Sequence, residues 1–147
     1  MRHLAMFSLI ASLSSGCYIY ASTSDTYDDV YVDDTVYNFA PEILEAEAGC
    51  YFDRGYGDDI WYFDAYVDDL DGLHDVTQVW ADVYDEFDGQ LVESFELYSD
   101  SAGMLWFSDW LGGTTYLDCF YDNYTVDIVA YDSWDAMDYV TIVPYTY

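Results

Sequence analysis

The chain has 147 residues, of which 30 are Asp or Glu and only two are Lys or Arg, for a formal charge of −28. Phosphate backbones and anionic bilayers are bound through Lys and Arg, so this balance excludes nucleic acid as a partner and electrostatic docking to a membrane. Yet 53% of the residues are hydrophobic and 21% aromatic, which excludes a disordered acidic tail and provides one core of ordinary domain size. In chain order, Arg2 gives a short positive start, and Leu4 to Leu13 is an uncharged apolar run. A run of about ten residues suits the core of a signal peptide, whereas a membrane-spanning helix needs about 20. Ser14, Ser15 and Gly16 follow, and then Cys17.

The segment LSSGC resembles the lipobox of bacterial lipoproteins. The resemblance implies that residues 1–16 are removed as a lipoprotein signal peptide and that Cys17 carries lipid. The anchor is then covalent, each buried methylene contributing ~0.8 kcal/mol. In lipoproteins of two-membrane bacteria, Asp after the cysteine commonly retains the protein at the inner membrane. Tyr18 stands there, which implies the outer membrane or cell surface. An ordinary signal peptide cut nearby, leaving a secreted soluble protein, is the alternative. With Cys17 lipidated, Cys50 and Cys119 remain as an even pair in an oxidising compartment. Arg54 is then the one basic side chain left.

Residues 17–40 read as lipid anchor and tether, rich in Ser, Thr, Asp and Tyr, and Pro41 marks entry to a folded part spanning 41–147. From there the hydrophobic period is two. Leu44, Ala46, Ala48, Cys50 and Phe52 alternate with Glu45, Glu47 and Asp53. Trp61, Phe63, Ala65 and Val67 alternate with Tyr62, Asp64, Tyr66 and Asp68, and Val79, Ala81 and Val83 alternate with Gln78, Trp80 and Asp82. Phe95 and Leu97, the apolar run Met104 to Leu111, then Val126, Ile128 and Ala130, and last Val140 and Ile142 complete the set. Alternation in β-branched and aromatic residues predicts half-buried antiparallel strands, about seven in number. Turn clusters such as DRGYGDD, DDLDGLHD and DEFDGQ separate them. The expected class is all-β and the architecture an antiparallel β-sandwich.

Two stretches carry a second resemblance. AYVDDLDGLHDVTQVWADVYD is similar to the second strand, turn and third strand of bacterial immunoglobulin-like domains, and YTVDIVAYDSWDAMDYVTIV resembles their last hairpin. The resemblance covers residues 41–147 and implies an immunoglobulin-like β-sandwich, a fold that serves many functions. Its topology puts Cys50 and Cys119 at one pole, where they could form a bridge; two buried free thiols are the alternative. The same topology gathers Asp68, Asp69, Asp71, Asp75, Asp132, Asp135 and Asp138 at the other pole. Crowded carboxylates repel unless solvated, protonated or bridged, and Ca2+ with its six to eight oxygen ligands would bridge them. Solvated turn aspartates are the competing account.

Little points to catalysis. His74 lies in a tight turn beside Asp75, which suits neither a nucleophilic triad nor a zinc site. A carboxylate hydrolase stays open only because acids are abundant. Tyr62, Tyr66, Trp80 and Tyr84 are expected on outer strand faces, where aromatic rings bind sugars and proteins; Trp106, Trp110 and Trp134 are expected as core or loop anchors. The functional expectation is a non-enzymatic cell-envelope lipoprotein with a structural, adhesion or ligand-binding role, its partner an envelope protein or polysaccharide. The alternative is a calcium-dependent binding module for carbohydrate or protein. Self-repulsion of so large a charge is screened by salt. The melting temperature should therefore rise from low to high ionic strength; a flat profile would contradict this reading.

Overall fold

The computed structural model describes residues 37–146. Residues 1–16, expected to be a signal peptide, Cys17 and nearly all of the expected tether lie outside them. The described residues belong to the compact unit Val36–Tyr147. It has seven strands: β1 (Glu42–Asp53), β2 (Asp58–Asp68), β3 (Val76–Asp85), β4 (Leu91–Ser99), β5 (Leu105–Leu111), β6 (Tyr124–Asp132) and β7 (Met137–Ile142). One short 3-10 turn, Gly112–Thr114, follows β5.

The strands are antiparallel and hydrogen-bonded in the order β1-β2-β5-β4-β3-β6-β7. β4 makes the ladder continuous: it pairs with β3 from Leu91 to Leu97 and passes to β5 at Tyr98 and Ser99. The two edges of this curled sheet approach each other. Beyond β7, the Tyr145 amide donates to the Ala48 carbonyl at 2.9 Å, and the Cys50 amide donates to the Tyr145 carbonyl at 2.7 Å. Gly49 permits that approach, since a Cβ there would stand 2.8 Å from the Tyr145 carbonyl oxygen. The result is a nearly closed, barrel-like β structure whose edges meet at this one point.

Alternating residues fill the interior. Trp61, Phe63, Ala65 and Val67 of β2 face Val79, Ala81 and Val83 of β3, Phe95 and Leu97 of β4, Trp106 of β5, and Val126, Ile128 and Ala130 of β6. Phe63 stacks between Trp61 and Phe95, with ring centroids 6.3 and 4.8 Å away. Burial of each large side chain contributes about 1.5–3 kcal/mol, so this stack anchors the sheet. Two inward expectations shift. A bulge between Ile43 and Glu45 turns Leu44 to solvent and brings Ile43 against the core. Phe52 keeps the phase of Cys50 but is exposed at the end of the β1–β2 hairpin. Of the tryptophans, Trp106 is buried, Trp110 packs on Phe95 at 5.5 Å, and Trp134 is exposed in the β6–β7 turn.

The strand directions sort the loops into two poles. One holds the β1–β2 turn with exposed Arg54, the β3–β4 turn and the β5–β6 connection. Here Cys50 of β1 and Cys119 of the β5–β6 connection form a disulfide with a Cα–Cα distance of 5.7 Å, an ordinary value for such a bridge. The other pole holds the β2–β3, β4–β5 and β6–β7 turns and the entry segment before β1. Reduction of a bridge spanning 69 residues should lower unfolding stability by ~2–4 kcal/mol. Denaturant melts with and without reductant would measure it; coincident curves would show that the bridge contributes nothing.

Candidate functional site

At the second pole Asp68 ends β2, and the turn Asp69 to Asp75 leads into β3. Short carboxylates hold this turn by accepting backbone amides, as Asp side chains do. Asp68 accepts the Asp69 amide at 2.9 Å, and Asp69 Oδ1 accepts the Asp71 amide at 2.7 Å. Asp71 Oδ2 accepts the amide of Phe39 at 2.7 Å, and Asp75 accepts the hydroxyl of Ser133. One carboxylate oxygen from each of Asp69, Asp71 and Asp75 lies within 4.8 Å of the others, close enough to hold a metal ion.

Two of the acids are buried, with opposite fates. Asp132 is 2% exposed, and burial works against its ionisation. Donors from Asn38 Nδ2 at 2.6 Å and from the amides of Trp134 and Ala136, both at 2.8 Å, outweigh burial and hold its carboxyl below the ordinary range. Asp69 is 6% exposed, and its Oδ2 has no hydrogen-bond partner among the described residues. Burial pushes its carboxyl up; the Asp71 amide opposes this, and the charges of Asp71, Asp75 and Asp132 add to it.

Of the seven aspartates expected at this pole, Asp69, Asp71 and Asp75 form the group, and Asp132 acts on Asp69 through its charge. Asp68, Asp135 and Asp138 lie outside the group. Asp138 accepts the Ile43 amide at 2.9 Å, and exposed Asp135 takes a left-handed turn conformation at φ 63°. His74 is exposed in the β2–β3 turn. Asn38 and Phe39 belong to a stretch read from sequence as tether, yet both bond to aspartates of this pole. Nothing in their local pattern marks them, because their partners lie 94 and 32 residues away.

The outer aromatic residues divide between two surfaces. Tyr62 and Tyr66 project from β2, while Trp80 and Tyr84 project from β3, which β5 and β4 separate from β2 in the sheet order. Trp80 Nε1 donates to Gln78 at 3.2 Å above a depression that Asp82, Ser94, Val129 and Tyr131 also line. The β2 side is richer: Tyr51, Tyr62 and Phe107 stand with Glu47, Asp64 and Asp109 around a shallow depression of about 390 Å³. Tyr51 and Tyr62 rings lie 6.0 Å apart, and the Tyr62 hydroxyl donates to Glu47 at 2.9 Å. Burial and that bond push the Tyr62 phenol up to about 12. Burial, then the charges of Asp109 and Glu47, push the Asp64 carboxyl up. Phe107 and Asp109 were hidden in an apolar run; the charge of Asp109 is the signal for their shared outward phase, opposite the buried Trp106 and Ser108.

A carboxyl held below its unfolded value contributes stability that is present above the unfolded range and lost as pH falls through the folded value. Asp132→Asn should therefore lower the melting temperature at pH 7 more than Asp88→Asn does, with a deficit that shrinks as pH falls below about 4. Paired melts across that range would test this, and a pH-independent deficit would refute it. Comparison with known proteins finds no matching family model, no matching curated protein and no matching solved structure, so the functional reading stands on the chain's own residues.

Proposed function

We propose that the chain is an exported cell-envelope lipoprotein, anchored through Cys17, whose immunoglobulin-like β-sandwich is a non-enzymatic binding or adhesion module. The strand order, with β4 shared between β3 and β5, supports the immunoglobulin-like assignment. The observation that carries the binding role is the outer face where Tyr51, Tyr62 and Phe107 stand among Glu47, Asp64 and Asp109. Rings of this kind stack on sugar faces or apolar side chains, and carboxylates accept hydroxyl, ammonium or guanidinium donors. Burial first, and then the charges of Asp109 and Glu47, disfavour the ionised Asp64, and an incoming cationic or hydroxyl-rich group would offset both. An envelope polysaccharide or a basic stretch of an envelope protein fits that chemistry.

A second reading, a calcium-dependent module, is favoured by the orphaned buried oxygen of Asp69. There the ion would hold the turn pole while the aromatic face meets the partner.

The intact mass of the protein from its own cells tests the anchor. Loss of residues 1–16 with acyl mass on Cys17 is expected; an unlipidated mass would overturn it. Titration with isolated envelope polysaccharide and with envelope proteins tests the face. Tyr51→Ala and Tyr62→Ala should each weaken binding about tenfold, and unchanged binding in the double variant would remove the face from the proposal.

A further inference from the structure

We propose that the β2–β3 turn binds one calcium ion through the carboxylates of Asp69, Asp71 and Asp75. The inference rests on the calcium-dependent reading and assigns it a ligand set. Crowded acids alone would not carry it, since this chain has carboxylates everywhere. The second observation is Asp69 Oδ2, which is buried and without a partner among the described residues.

Asp132, at the same pole and equally buried, shows the contrast. Both of its oxygens are used, by Asn38 and by two backbone amides. The fold thus supplies donors to a buried carboxylate where none other is available, and at Asp69 it supplies one to Oδ1 only. A side-chain cation cannot complete the set, because the sequence has no lysine and Arg54 sits in the β1–β2 turn at the opposite pole. Three carboxylate oxygens within 4.8 Å match the span of a calcium shell, whose oxygens lie about 2.3–2.6 Å from the ion. Asp71 and Asp75 each accept one bond, from the Phe39 amide and the Ser133 hydroxyl respectively, and retain lone pairs for an ion. Oxygen-only ligands select a hard cation, and the varied ligand number that calcium accepts suits a turn completed by water. An ion on Asp71 would also fix the entry segment, because Asp71 holds the Phe39 amide.

The test is calorimetric titration of the full chain, freed of divalent ions, with CaCl2 and with MgCl2 at a salt concentration that screens general charge. One calcium per chain is expected, bound at least tenfold more tightly than magnesium. Asp69→Asn should weaken calcium at least tenfold, Asp75→Asn likewise, and Asp88→Asn, with the same charge change at the far pole, should not. In chelator, Asp69→Asn should melt no lower than the parent chain, which separates loss of a ligand from loss of fold. Absence of saturable heat, a preference for magnesium, or full calcium binding by Asp69→Asn would each overturn the site. Partner binding measured with and without calcium addresses the module reading separately: a calcium-independent partner would end that reading and leave the ion site standing.

Discussion

Thirty carboxylates with almost no opposing side-chain charge is the constraint on which this structure depends. Ion pairs cannot compensate them, so the compensation must come from dipoles. Backbone amides are the largest supply, and a side chain must be short to reach those of its own turn. Asp53 accepts the amides of Gly55 and Tyr56, Asp85 that of Phe87, Asp88 that of Gln90, Asp100 those of Ala102 and Gly103, and Asp118 that of Phe120. Hydroxyls serve along the strands: Ser94 donates to Asp82, Thr141 to Asp127 and Tyr121 to Asp85. This explains why the acids are so largely Asp, and why Ser, Thr and Tyr accompany them.

The same economy shapes tertiary structure. Asp132 fastens the entry segment through Asn38, and Asp138 fastens β1 through the Ile43 amide. Both are bonds between sequence-distant elements, and both sit where the curled sheet brings its two edges together. Below them the aromatic stack of Trp61, Phe63 and Phe95 is apolar throughout, apart from the buried indole nitrogens of Trp61 and Trp106, which lack partners among the described residues. Negative charge is thus kept to turns, strand ends and outer faces, where it is bonded to dipoles or meets solvent, the buried Asp69 Oδ2 being the exception among the described residues.

Local pattern made the strands readable. The period-two runs around Trp61, Val79, Phe95 and Val126 each became a strand with its inward side as expected, because alternation directly encodes a half-buried face. Leu44 could not be read so, since a bulge depends on the partner strand rather than on its own sequence. The continuity of the sheet through β4 was hidden for the same reason: Tyr98 and Ser99 change partners without any change of pattern. At the acidic pole the sequence showed that aspartates cluster, but not which ones converge. Asp69, Asp71 and Asp75 do so because one turn folds them together, whereas Asp138 is drawn to β1. The outer aromatic set divided because adjacent numbers, such as those of β2 and β3, are not adjacent strands.

The single arginine of the folded unit has a consequence for how the molecule comes apart. Arg54 is exposed in the β1–β2 turn, four residues after Cys50. An exposed turn of this kind is where a protease gains access. A trypsin-like enzyme, having no lysine to use, would find its cleavage point there. The cut would leave Cys50 on one fragment and Cys119 on the other, with the bridge between them. The nicked chain would still travel as one molecule until a reductant separated it. For this protein, then, a broken backbone and a released fragment are two different events, and redox conditions decide whether the first becomes the second.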